Sequence, residues 1–313
     1  MILQDIKKEV GKVVVGQDEL INALLIGLIS NGHILVEGVP GLAKTTAINA
    51  LAKSLGIRFK RVQFTPDLLP SDIIGTEVYN VKTGEFYLKK GPAFTNLLLA
   101  DEINRAPSKV QSALLEVMQE KQITIGDNSF KLDEPFLVMA TQNPIEQEGA
   151  YKLPEAQLDR FLMKILVGYN TYDEELEIVN RVVVKGFESI NQVASKDEIL
   201  NLKNELKKIH FDEEVKKYMI KLIFATRKPS EFGLGEIAEF LEFGASPRAS
   251  IDLYKSSAAY AMINGKDYVT PLDIAVVLKG VLRHRIMLNY KAKAKDITPD
   301  IIIEKILNTI KAP

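Results

Sequence analysis

Three short stretches of this 313-residue chain have residue types and spacings suited to chemistry on a phosphorylated ligand. The first is Gly38-Val39-Pro40-Gly41-Leu42-Ala43-Lys44-Thr45, the phosphate-loop spacing G-x-x-x-x-G-K-[ST] with Ala43 at the second glycine. Gly38 and Gly41 let the backbone curl so that successive N–H groups converge on phosphate oxygens, and the following helix N-terminus favours their charge. Lys44 brings a point charge to the β- and γ-phosphates and Thr45 a hydroxyl for Mg²⁺. Pro40, Leu42 and Thr46 are assigned to the same ligand-binding loop. Ala43 is expected at the start of that helix, where a β-carbon meets no clash. The second stretch, Leu97-Leu98-Leu99-Ala100-Asp101-Glu102, is an apolar run ending in two carboxylates. In that order Asp101 holds Mg²⁺ and Glu102 positions or deprotonates the attacking water. The third, Ala140-Thr141-Gln142-Asn143-Pro144, closes another apolar run with amides. Asn143 there is suited to orient water against a γ-phosphate, or equally to form an Asn-Pro turn. The predicted cofactors are ATP and Mg²⁺.

These residues need a scaffold that brings strand ends together. Gly32 to Gly38 reads as a short strand into the loop, and Thr45 to Leu55 as the helix leaving it. Further buried-strand runs occur at Phe59 to Phe64, Leu97 to Asp101, Phe136 to Thr141 and Phe161 to Val167. Their alternation with helical segments predicts an α/β fold, a mostly parallel sheet flanked by helices. Two hairpins interrupt it. One pairs Gly75 to Val81 with Glu85 to Leu88, the other Gln122 to Ile125 with Ser129 to Leu132. After Asn170 strands cease, and amphipathic helices are predicted at Glu174 to Val184, Lys196 to Lys208, Asp212 to Arg227, Ser250 to Ile263 and Pro271 to Leu288. Two domains follow, residues 1–170 for the nucleotide and 171–313 as an all-α lid.

Bulk properties narrow the partners. Forty basic and 41 acidic residues leave a net charge of -1, so no global field favours nucleic acid or an anionic membrane. With no cysteine there is neither a disulfide framework nor a thiolate metal site, which suits a reducing compartment. The N-terminus lacks the head and apolar run of a signal peptide, and Leu20 to Ile29 is too short to span a bilayer. A soluble, cytoplasmic protein is expected. His33, His210 and His284 are scattered and point to packing rather than a metal. Arg283-His284-Arg285 at a helix end could bind phosphate but reads better as cations complementing the helix dipole, and Tyr79, Phe86 and Tyr87 read as cross-strand packing on a hairpin rather than a base-stacking platform.

Taken together, the chain resembles the MoxR group of AAA+ ATPases. The resemblance rests on the phosphate loop and on Gln63-Phe64-Thr65-Pro66-Asp67-Leu68-Leu69-Pro70-Ser71-Asp72, Asp101-Glu102-Ile103-Asn104-Arg105-Ala106, Leu153-Pro154-Glu155-Ala156-Gln157-Leu158-Asp159-Arg160-Phe161 and Gly244-Ala245-Ser246-Pro247-Arg248. By that resemblance Val15, Gly16 and Gln17 lie against adenine and Asn143 is the first sensor of the γ-phosphate. Arg160 is the arginine finger reaching a neighbouring subunit, and Arg248 the second sensor on the lid. A guanidinium in that role accelerates phosphoryl transfer by roughly 10³ to 10⁵; a salt bridge to Asp159 is the alternative for Arg160. Arg105 either acts across the subunit boundary or partners nearby acids. The resemblance further implies a homo-hexamer and a client or adaptor protein, commonly one with a von Willebrand factor A domain. The function implied is chaperone-like remodelling or maturation of partners. Two other readings remain at this level, a DNA-directed motor and a nucleotide-gated scaffold with little turnover. The near-neutral charge weighs against the first, Glu102 and Arg160 against the second.

Overall fold

The computed structural model describes residues 2–144, 151–184, 186 and 188–313. It divides into two compact units, Met1–Pro154 with Ile165–Asn201, and Glu155–Lys164 with Leu202–Pro313.

The first unit is built on a five-stranded sheet. Its strands are β1 (Ile34–Gly38), β2 (Phe59–Gln63), β5 (Leu97–Asp101), β8 (Leu137–Gln142) and β9 (Met163–Val167), in the order β2-β5-β8-β1-β9. The β1–β8, β5–β8 and β2–β5 pairs are parallel. Central strands buried on both faces must be apolar throughout, and Leu97–Ala100 and Leu137–Ala140 are fully enclosed. Edge strand β2 is instead enclosed only at Val62, while Lys60, Arg61 and Gln63 are exposed. The helix Asp18–Ser30 is apolar nearly all round because it is enclosed, with Leu20 to Ser30 buried apart from Asn22. Among the described residues no helix is long and apolar enough to cross a membrane.

The hairpins stand as two-stranded ribbons outside the sheet. β3 (Gly75–Asn80) pairs with β4 (Glu85–Lys90), and β6 (Gln122–Ile125) with β7 (Asn128–Lys131). Tyr79 faces Phe86 directly, ring centroids 5.1 Å apart, the cross-strand packing that alternation along a hairpin produces. His33 is a structural tie, its Nε2–H donating to Met118 O and its Nδ1 accepting from Val138 N–H.

Residues 171–201 belong to the first unit, which moves the division well beyond Asn170. The reason is specific bonding: Arg181 Nη1 donates to Gly11 O at 2.7 Å, Asn191 N–H to Glu9 Oε1 at 2.7 Å and Val193 N–H to Ser54 O at 2.9 Å. The expected helix at Glu174 to Val184 is an α-helix over Tyr172–Val179 that widens to a π-turn over Asn180–Val184.

The second unit is helical, with its main helices at Glu213–Arg227, Pro247–Ile263, Pro271–Leu282 and Pro299–Thr309. Their starts are written locally. Asp212, Ser246, Thr270 and Thr298 each accept a backbone N–H of the first turn, and Pro opens the last three helices. The unit is not wholly α, however, because β10 (Leu241–Phe243) pairs antiparallel with β11 (Met287–Leu288). The expected helix through Leu288 therefore stops at Leu282, and Arg283 to Arg285 leave the helix buried rather than solvated.

Candidate active site

In a parallel sheet, ligand-facing groups collect at the carboxyl ends of the strands. The order β2-β5-β8-β1 therefore decides which loops meet. β1 ends in the phosphate loop, β5 in Asp101, β8 in Gln142 with Asn143 following, and β2 in Gln63, paired in register with Asp101. The result is a cavity of about 410 Å³ lined by Val15, Pro40 to Thr46, Asp101, Glu102 and Asn143, together with Val13, Arg61, Gln63, Asn170, Ile178 and Val182.

Each turn of the loop has a physical reason. A β-carbon on Gly38 would lie 2.6 Å from the Val167 carbonyl oxygen, so only glycine lets the end of β1 pack against β9. Gly41 takes φ +88, and Ala43 also takes a left-handed conformation, φ +53. Space was the expected issue at Ala43, yet the backbone is the costly part, about 1–2 kcal/mol for an L-residue in that region. Lys44 Nζ curls back and donates to Gly38 O at 2.6 Å. Burial pushes the Lys44 ammonium below its ordinary pKa, and the nearby Asp101 and Glu102 charges oppose that shift.

The acidic pair is held by side chains from neighbouring strands. Thr141 Oγ1 donates to Asp101 Oδ1 at 2.6 Å and accepts the Glu102 N–H at 2.8 Å, so one buried hydroxyl spans both residues. Glu102 sits at φ +56, a left-handed turn that throws its carboxylate out of the strand direction. Arg61 grips Asp101 Oδ2 through Nε at 3.0 Å and Nη2 at 2.6 Å. Gln63 donates to Glu102 Oε2 at 2.6 Å and accepts from Arg61 Nη2 at 2.9 Å, closing a chain of polar contacts. Arg105 Nη1 also donates to Glu102 Oε2, at 2.9 Å, the acid-partner arrangement of the two expected for it.

Among the described residues no cluster of three His, Cys, Asp or Glu side chains forms a protein cage for a metal. One carboxylate and one hydroxyl on the same cavity suit an ion that keeps water and phosphate oxygens as its other ligands, the habit of Mg²⁺. Asp101 and Thr45 fit that role.

Gly16 and Gln17 lie outside the cavity lining, although they adjoin it. Gln17 Nε2 donates to Gly168 O at 3.4 Å, and Asn170 Nδ2 to Val15 O at 2.9 Å. Val13, Ile178 and Val182 form an apolar wall that the motifs do not contain. Ile178 and Val182 are spaced for one helical face, whereas Arg61 carries no local signal beyond its place on an exposed edge strand.

Arg160 and Arg248 belong to the second unit. Asp159 does not pair with Arg160; its carboxylate is taken by Arg285 at 2.8 Å and Ser246 at 2.9 Å. Among the described residues Arg160 has no ion pair, and its Nε is buried without a hydrogen-bond partner. Arg248 is exposed in the first turn of Pro247–Ile263, where a cation opposes the helix dipole.

Residues 33–163 match the family described as ATPase family associated with various cellular activities (AAA), and residues 236–306 match the AAA lid domain. The chain is 49% identical to Chaperone MoxR1 of Mycobacterium tuberculosis over 97% of its length and 81% of the relative's. It is 42% identical to YeaC, an uncharacterized protein of Bacillus subtilis, over 98% of its length and 93% of the relative's. A crystal structure of a candidate ATPase from Cytophaga hutchinsonii, 53% identical, superposes with a TM-score of 0.93 over 100% of this chain and 95% of that one. With motif, fold and kinship in agreement, the chain belongs to the MoxR family of AAA+ ATPases.

Proposed function

We propose that this protein hydrolyses Mg-ATP and uses the energy to remodel or mature partner proteins, in the manner of a chaperone. One observation carries the hydrolytic part: Lys44, Thr45, Asp101, Glu102 and Asn143 converge on a single cavity at the carboxyl edge of the sheet. The loop N–H groups and Lys44 hold the phosphates, and Asn143 with Glu102 orients the attacking water. Glu102 then accepts its proton, as a general base worth roughly 10² to 10⁴ in rate. Thr45 and Asp101 would hold Mg²⁺, which would supply neutralisation of charge on the phosphoryl oxygens.

Arg160 completes the site from a second copy, in a homo-hexamer, and Arg248 is the second sensor. Both readings draw support from guanidinium groups that make no ion pair among the described residues. The protein acts in the cytoplasm on a client or adaptor that carries a von Willebrand factor A domain. Kinship with a relative named a chaperone favours a protein client, and a net charge of -1 gives no pull toward DNA.

Glu102→Gln should bind ATP within about threefold of the parent and hydrolyse it roughly 10²-fold or more slowly. Turnover at the parent rate removes Glu102 from the mechanism. Mixing Lys44→Ala subunits with Arg160→Ala subunits should restore hydrolysis at shared interfaces; a co-assembled mixture with no recovery refutes the shared site.

A further inference from the structure

The three residues Arg283, His284 and Arg285 are buried in the second unit, and their donors converge on one segment, Asp159 to Lys164. Arg285 Nη2 donates to Asp159 O at 3.2 Å and Phe161 O at 2.8 Å, the carbonyls on either side of Arg160. Its Nη1 reaches Leu162 O at 3.3 Å, and its Nε the Asp159 carboxylate at 2.8 Å. His284 Nε2 lies 3.0 Å from Phe161 O, which can only accept, so that nitrogen carries the proton. Arg283 Nη1 donates to Lys164 O at 3.2 Å. A second anchor fixes the clasp itself: Arg285 Nη2 meets Asp252 Oδ2 at 2.5 Å, and Arg283 is paired with Asp300.

Complementing a helix dipole requires none of this. A guanidinium whose side chain is only 1% exposed is costly to bury, and here its fork is spent on four backbone carbonyls and two carboxylates. Two of these carbonyls, those of Asp159 and Phe161, flank Arg160, while the Arg160 Nε stays without a partner. His284, held far below its ordinary pKa by burial, adds a neutral donor to the same peptide stretch.

We propose that Arg285, with His284 and Arg283, is a positioning residue for Arg160. It fixes the backbone on both sides of Arg160 to the helical unit, so the guanidinium offered to a neighbouring copy is carried by the lid. The state of one subunit's lid thereby sets the hydrolysis rate at the next subunit's ATP. This rests on the reading of Arg160 as a finger acting in trans.

The test separates giving a finger from receiving one. Donor subunits carry Lys44→Ala, which cannot turn over ATP, and receiver subunits carry Arg160→Ala. Arg285→Lys keeps the charge and loses the fork; placed in the donor, it should lower the recovered rate roughly 10- to 100-fold, the cost of about 1 Å of misplacement. Placed in the receiver, it should leave recovery within twofold. Equal losses in both arms mean a general structural role, and no loss in either means no role; each overturns the proposal. If Arg285→Lys fails to fold, His284→Gln, which can keep one donor to Phe161 O, is compared with His284→Leu. Only the leucine variant should lose activity, and only in the donor. Absence of recovery in the unmodified Lys44→Ala and Arg160→Ala mixture would instead sink the trans finger itself.

Discussion

Replacing Thr141 by Val tests how the acidic pair is held. The substitution keeps the β-branched shape of a residue in β8 that is only 1% exposed, and removes a single hydroxyl. That hydroxyl donates to Asp101 Oδ1 and accepts from Glu102 N–H, at 2.6 and 2.8 Å. A bond to a carboxylate contributes about 1.5–3 kcal/mol and a neutral amide bond about 0.5–1.5 kcal/mol, so the pair together is worth about 2–4.5 kcal/mol. Water reaching Asp101, whose side chain is 14% exposed, returns part of this and leaves about 2 kcal/mol. For a unit of this size the melting temperature should fall by about 4–8 °C. The functional loss should be larger than the thermal one. Glu102 holds φ +56, a region that costs a non-glycine residue about 1–3 kcal/mol and persists only where the surroundings enforce it, and the Thr141 bond is one such restraint. Once it is freed, the carboxylate no longer stands at a fixed distance from the water. Phosphate release at saturating ATP should show kcat lowered roughly 10- to 100-fold. The binding constant for a fluorescent ATP analogue should stay within about threefold, since the loop is untouched. A variant with parent kcat would refute the view that Thr141 sets the geometry of the acidic pair.

Three further outcomes follow from contacts in the first unit. Arg61 occupies Asp101 Oδ2, so Arg61→Ala should lower the Mg²⁺ concentration for half-maximal nucleotide binding; an unchanged or higher requirement contradicts competition at that oxygen. Ala43→Gly relieves about 1–2 kcal/mol of left-handed strain against about 0.5–1 kcal/mol of added chain entropy. Its melting temperature should rise by a few degrees, and a fall would show that the β-carbon makes a contact worth more than the strain. Glu9, hydrogen-bonded by Lys12 and by Asn191 N–H, has its pKa lowered, so its contribution is complete above its unfolded value near 4.5 and lost as pH falls through the folded value. Thermal scans of Glu9→Gln should therefore show the variant less stable than the parent at pH 7, with the gap closing as the pH falls below 4.5 and through the folded value.

Local chemistry made part of this protein legible in advance. The loop at Gly38 to Thr45, the apolar runs that became β1, β5 and β8, and the helix that begins at Asp212 depend on neighbours within a few residues. Spacing therefore determined the strand-loop-helix unit, both hairpins and the acidic pair. The order of the strands, by contrast, decided that Thr141 touches Asp101 and that Arg61 reaches across from β2, contacts between residues about 40 apart that no local period encodes. Likewise Arg283-His284-Arg285 has the composition of a solvated helix end. Only the packing of the second unit buried it, because Asp159, Asp252 and the carbonyls around Arg160 supply the acceptors that make a buried guanidinium tolerable.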